Sequence, residues 1–150
     1  MTNFYKCGEC SNIMLEMGDP AGVCQNSGMQ LMGAGTTDGA AEKHVPVAFI
    51  QGDEVRIQVG EVPHPMLPEH HIEWIYVKTT FGGVFCNLAA GDEPEAIFKL
   101  SPDEVVEVYE YCNLHGLWKA KSPVLPLTFD LNEVACSPEF TAGCVNPAKD

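Results

Sequence analysis

The chain has 150 residues, 45% hydrophobic and 19% charged, which suits one ordinary domain, with or without a small metal-stapled module, and is too short for two large ones. Eight Lys and Arg against 21 Asp and Glu give a formal net charge of -13, which argues against nucleic acid and anionic lipid as partners. No apolar run approaches the roughly 18 residues of a membrane span, and the start, Met1-Thr2-Asn3-Phe4-Tyr5-Lys6-Cys7, lacks the basic and apolar regions of a secretory signal, so a cytoplasmic location is expected.

Residues 1–36 carry Cys7-x-x-Cys10 and Cys24, are rich in Gly and Met, and show little sustained periodicity. They predict a small loop-rich module that needs a metal to hold it together. From about residue 44 the pattern changes to short β-type runs. Val45 to Gln51, a Gly52-Asp53 turn and Glu54 to Val59 predict a hairpin, because Gly at the first turn position suits a primed turn. Further runs are Ile72 to Thr80, Val84 to Leu88, Ala96 to Leu100, Val105 to Tyr111 and Leu117 to Ala120. About seven short strands so closely spaced predict an all-β, antiparallel β-sandwich. Ser101-Pro102-Asp103-Glu104 offers a helix cap as an alternative start for residues 105–111. Beyond Lys121 the chain is proline-rich, with Pro123, Pro126, Pro138 and Pro147, and reads as an extension over the surface.

The cysteines number seven (Cys7, Cys10, Cys24, Cys86, Cys112, Cys136 and Cys144). In a chain without an export signal they are better read as metal ligands or free thiols than as a disulfide framework. The histidines number five and lie in structured contexts: Glu42-Lys43-His44-Val45-Pro46, His64-Pro65-Met66-Leu67-Pro68-Glu69-His70-His71, and Cys112-Asn113-Leu114-His115. A Cys-x-x-His pair suits chelation, since both side chains of a tight loop can turn toward one ion. His64 precedes Pro65, which biases its backbone to an extended conformation. Adjacent His70 and His71 cannot both face one side of a strand. Each feature alone also has a plain reading: a turn for His-Pro, a satisfied β-edge histidine for His44, a loop for Cys-x-x-His. One thiolate among several imidazoles is too nitrogen-rich for an ordinary structural zinc site.

Taken together, four ordered motifs resemble superoxide reductases of the desulfoferrodoxin and neelaredoxin group. They are Glu42-Lys43-His44-Val45-Pro46; His64-Pro65-Met66 with His70 and Ile72-Glu73-Trp74-Ile75; Gly91-Asp92-Glu93-Pro94-Glu95-Ala96; and Tyr111-Cys112-Asn113-Leu114-His115-Gly116-Leu117-Trp118-Lys119. The resemblance is closest over roughly residues 37 to 120. It implies an immunoglobulin-like sandwich at 37–121, a desulforedoxin-like module at 1–36 and a C-terminal extension at 122–150. It further implies a mononuclear iron held by four imidazoles, His44, His64, His70 and His115, and by the Cys112 thiolate, with one position open. His71 falls where the family usually has an aromatic residue and is expected beside the site or on the surface.

The implied activity is one-electron reduction of superoxide to hydrogen peroxide, without the oxygen release of a dismutase. Neutral imidazoles and one thiolate leave ferrous iron a local positive charge that attracts superoxide despite the acidic surface. By resemblance, Lys43 strengthens that field and orients a water that supplies protons, while Glu42 closes the open position of the ferric form. A rubredoxin-like electron donor and a dimer or tetramer are implied in the same way. A non-catalytic iron protein, carrying electrons or sensing oxygen or peroxide, is the alternative with the same ligands.

In the desulfoferrodoxin type, a Cys-x-x-Cys pair and a later Cys-Cys pair bind a second, tetrahedral iron. Here Gln25 stands where the fourth cysteine falls, and glutamine is a poor ligand for soft tetrahedral iron. Cys7, Cys10 and Cys24 are thus an incomplete set for a second iron or zinc. Cys136 and Cys144 are read first as unrelated thiols and second as replacement ligands. Cys86, inside an expected strand, reads as a small packed hydrophobe.

Overall fold

The computed structural model describes residues 2–17, 28–37 and 39–121; Cys24, Gln25 and the expected extension 122–150, with Cys136 and Cys144, lie outside the described residues. In chain order the elements are β1 (Phe4–Cys7), β2 (Ile13–Leu15), β3 (Met29–Leu31), a single helical turn α1 (Ala41–His44), β4 (Pro46–Gln51), β5 (Glu54–Val59), β6 (Ile72–Thr79), β7 (Gly83–Asn87), β8 (Glu95–Lys99), β9 (Val105–Cys112) and β10 (Gly116–Lys119). All strand pairings are antiparallel. Strands β4 to β10 are the two sheets of an immunoglobulin-like sandwich, ordered β10-β9-β6-β7 and β4-β5-β8.

The causes are local before they are tertiary. In β5, Val55, Ile57 and Val59 are buried while Arg56 and Gln58 are half-exposed, the period of two that a half-buried strand requires. Register pairs Gln51 with Glu54, leaving Gly52-Asp53 as a two-residue turn. Gly52 has φ 62°, the left-handed value that a primed turn asks of its first residue. Residues 105–111 are strand and not helix, because β9 pairs with both β6 and β10. Ile72, Ile75 and Val77 of β6 join Val108 and Cys112 in the core between the sheets, whereas Trp74 and Tyr76 belong to the opposite face. A bulge between Ile72 and Trp74 shifts the alternation so that both faces are filled.

That opposite face is covered by the N-terminal residues. Where the sequence predicts loops, β1, β2 and β3 form a small sheet ordered β2-β1-β3. Phe4, 1% exposed, stacks on Trp74 at 5.2 Å and meets Tyr109 edge-on at 5.2 Å and Tyr76 at 5.6 Å. Polar ties reinforce it. Lys6 Nζ donates to the Tyr111 hydroxyl (2.9 Å), and Glu107 accepts from the Thr2 amide and hydroxyl and from Lys119. The N-terminal residues have an aromatic anchor, because β1 places Phe4 over three rings of the sandwich.

Candidate metal centre

Three chain segments converge at one end of the sandwich. His44 ends α1, His64 and His70 lie in the connection from β5 to β6, and Cys112 and His115 bracket the turn from β9 to β10. Backbone bonds from Gly60 to Val45 (3.2 Å) and from Val62 to Glu42 (3.0 Å) clamp α1 against the turn after β5. Gly60 has φ 82°, and a Cβ there would fall 2.6 Å from the Lys43 carbonyl oxygen, so the clamp closes only on glycine. The Gly91 to Ala96 segment braces the same connection, through Gly91 N–H to the Met66 carbonyl and Val59 N–H to the Pro94 carbonyl, both 2.8 Å. Asn113 joins the two remaining segments: its Oδ1 accepts from the His71 amide (2.9 Å) and its Nδ2 donates to the Glu69 carbonyl (3.1 Å).

The result is a group of five donors, His44, His64, His70, Cys112 and His115, whose ligand atoms all lie within 4.8 Å of one another. Second partners orient the rings. His44 Nδ1–H donates to the Ala40 carbonyl (2.8 Å) and His64 Nδ1–H to the Pro65 carbonyl (2.6 Å). Each ring then presents a bare Nε2, and these two lone pairs face each other at 3.1 Å. His44 Nε2 is also 3.1 Å from His115 Nδ1, which in turn lies 3.7 Å from Cys112 Sγ. His70 Nε2 is buried without any partner. Lone pairs converging at such distances repel, and a buried, unpartnered nitrogen is costly. A cation among them turns both penalties into bonds, so the donor set fits a metal ion.

Electrostatics point the same way. Burial lowers the pKa of His44 and takes that of His64 to about 4, which keeps these rings neutral and able to ligate. Burial likewise lowers His70, with the positive charge of Lys43 among the smaller contributions. Burial pushes the Cys112 thiol up, against amide donors from His115 and Leu114; a metal cation reverses that balance and favours thiolate. Trp118 stacks on His44 (centroids 4.8 Å, 22°) and donates from Nε1 to the His115 carbonyl (3.1 Å). Thr37 Oγ1 donates to the same oxygen.

Glu42 and Lys43 are exposed on α1, beside buried His44, and are not members of the donor group. Their charges nevertheless reach it, Glu42 acting on His44 and Lys43 on His70. His71 is half-buried, turns its Nδ1 to the Leu67 carbonyl (3.0 Å) and stands outside the group. Cys7 ends β1 and Cys10 lies in the turn to β2, and neither is a member of the donor group. Cys86 is half-buried and packs on the core between the sheets.

One residue the sequence reading passed over is Glu110. It is fully buried, neither carboxyl oxygen has a partner, and burial raises its pKa well above the ordinary value. It precedes Cys112 by two residues in β9, so strand alternation places both on one face. A lone carboxylate on an inward position was the available signal. Among the described residues no helix is long and apolar enough to cross a membrane.

Residues 36–121 match the profile of the family described as Desulfoferrodoxin. A desulfoferrodoxin of Nitratidesulfovibrio vulgaris is 46% identical over 120 residues, covering 79% of this chain and 94% of its own. A superoxide reductase of Pyrococcus horikoshii is 38% identical over 100 residues, covering 55% of this chain and 87% of its own. Among solved structures, the superoxide reductase of Treponema pallidum superposes with a TM-score of 0.70 at 40% identity, over 81% of this chain and 99% of its own.

Proposed function

The chain belongs to the desulfoferrodoxin family, and from that premise we propose that it is a superoxide reductase whose single iron is held by His44, His64, His70, His115 and Cys112. The observation that carries the reading is the convergence of bare imidazole nitrogens and one thiol within 4.8 Å. Imidazole with a single thiolate suits iron and exceeds the four ligands of a structural zinc site. Iron bound there supplies the electron that converts superoxide, with two protons, to hydrogen peroxide.

The side chains supply the rest. Lys43 places a positive charge near His70 and so draws an anion toward a protein of net charge -13. Its ammonium also donates hydrogen bonds to the incoming oxygen anion and orders a proton-donating water beside it. Glu42, next to His44, gives the exposed turn a carboxylate that balances the charge gained when the iron is oxidised. Trp118 and the Ala40 and Pro65 carbonyls hold the rings in place, the role outer partners play around ligating histidines. The reducing partner is a rubredoxin-like carrier, the assembly a dimer or tetramer, and the compartment the cytoplasm; each follows from family resemblance or from sequence character.

The test pairs metal analysis with one substitution. The purified protein should carry iron at this centre, and Lys43→Ala should keep it while slowing the second-order reaction with superoxide about tenfold and weakening its dependence on ionic strength. An unchanged rate would remove Lys43 from the mechanism, and zinc in place of iron would remove the activity.

A further inference from the structure

His115 is held differently from its neighbours. His44 and His64 turn Nε2 to the centre and tether the near nitrogen, Nδ1, to a carbonyl. His115 does the reverse: its Nδ1 faces the centre, 3.1 Å from His44 Nε2 and 3.7 Å from Cys112 Sγ. No residue among those described meets its Nε2, so the ring lacks the outer tether that usually orients a ligating histidine. Nδ1 is bonded to the ring carbon that carries Cβ, so a shift of the backbone passes to the metal with little leverage to absorb it. What holds the backbone therefore aims the ring. The His115 carbonyl accepts two hydrogen bonds, from Trp118 Nε1 (3.1 Å) and from Thr37 Oγ1. Trp118 belongs to β10, on the same hairpin; Thr37 comes from the segment between β3 and α1 and ties the hairpin to it. That segment is fixed on both sides of Thr37. Gly35 N–H donates to the Leu117 carbonyl (2.8 Å), and the Ala40 carbonyl accepts from His44 Nδ1 (2.8 Å). The methyl branch of Thr37 lies over the same peptide, with Cγ2 3.7 Å from the point that a Cβ on Gly116 would occupy. One short segment thus reaches two donors of the centre, His44 through its ring and His115 through its backbone.

We propose that Thr37 is a positioning residue of the metal centre: its hydroxyl, together with Trp118, locks the peptide that joins His115 to Gly116 and so sets the direction in which His115 Nδ1 meets the iron. The role belongs to the hydroxyl, because apolar packing of the methyl has no direction, whereas an O–H···O bond fixes an angle. His70 and His115 are the two donors that are not fully buried, so a ring free to swing at His115 loosens the centre on the side that solvent reaches. The inference rests on the reading of the five donors as one iron site, and it adds to that site a residue outside the donor group.

The experiment uses the full-length protein with Thr37→Val, which keeps the branched shape and removes the hydroxyl, and Thr37→Ser, which keeps the hydroxyl and removes the methyl. Thr37 is exposed, so both variants should fold. Iron affinity in chelator competition should fall about tenfold in Thr37→Val and return to the wild-type value in Thr37→Ser. In the cobalt(II)-substituted proteins, proton NMR resolves the metal-shifted resonances of the ligating imidazoles. Those of His115 should move in Thr37→Val, while those of His64, which is tethered to the Pro65 carbonyl instead, should stay in place. Wild-type affinity and spectrum in Thr37→Val would overturn the proposal. So would a Thr37→Ser variant as impaired as Thr37→Val, which would make the methyl the cause, or equal displacement of all the imidazole resonances, which would mean a general loosening. Superoxide enters none of these measurements. A metal-bound protein without reductase activity would refute the proposed function and leave this result standing, and an indifferent Thr37→Val would leave the function standing.

Discussion

Replacing Phe4 by Ala tests whether packing anchors the N-terminal sheet. Phe4 is 1% exposed and touches Trp74, Tyr76 and Tyr109 with ring centroids 5.2 to 5.6 Å away. Losing its transfer free energy costs about 2–3 kcal/mol, and the void left among rings that cannot collapse brings the total to about 3–5 kcal/mol. Among the described residues, strands β1, β2 and β3 pair only with one another, so the loss falls on docking of that sheet and leaves the sandwich intact. Hydrogen exchange of the Phe4 to Cys7 amides should accelerate by about two to three and a half orders of magnitude, since 1.4 kcal/mol is tenfold. Amides of β6 and β9 should keep their protection, and the iron content should not change. Exchange in β1 within threefold of wild type would refute the argument that this ring is the anchor.

Two further perturbations probe the electrostatics and the ligand cage. Burial opposes ionisation of Glu107, yet hydrogen bonds from Lys119 and Thr2 outweigh it and hold the carboxyl at about 2 against an ordinary 4.5. Its folded-state pKa is depressed, so the stability it contributes is present above about pH 4.5 and is lost as pH falls toward about 2. With solvent reaching both partners, that contribution is about 1–2 kcal/mol. Urea unfolding of wild type and Glu107→Gln should differ by this amount at pH 6, and the difference should shrink at pH 3; a difference constant with pH would contradict the assignment. At Gly39 a Cβ would fall 2.8 Å from Trp118 Cζ2 and 3.2 Å from His44 Cε1. Gly39→Ala should therefore turn His44 and weaken iron binding about tenfold in chelator competition, and wild-type affinity would show that Trp118 gives way instead.

Much of this was legible in the sequence where the signal is local. Alternation over Glu54 to Val59 and the Gly52-Asp53 turn marked β4 and β5, because one face of that sheet is half-exposed and the pattern stays clean. Residues 105–111 were ambiguous between strand and helix, and only pairing with β6 and β10 resolves them. Strands of three residues, such as β2 and β3, are too short to carry a period; docking through Phe4 makes them a sheet. The donor set was visible as residues and invisible as atoms. Which nitrogen each histidine offers depends on the Ala40 and Pro65 carbonyls, partners no spacing rule supplies. Glu110 escaped notice because an acidic residue in a strand is ordinarily solvated, and its burial follows from both sheets closing over β9.

The five-donor centre should reduce superoxide without dismutating it. Stopped-flow mixing of the iron-loaded, reduced protein with superoxide tests this most directly, with peroxide and oxygen measured in the same reaction. Rapid oxidation of the iron is expected, with one hydrogen peroxide formed per superoxide consumed and no release of oxygen. Release of oxygen during turnover, or iron that stays reduced, would contradict it.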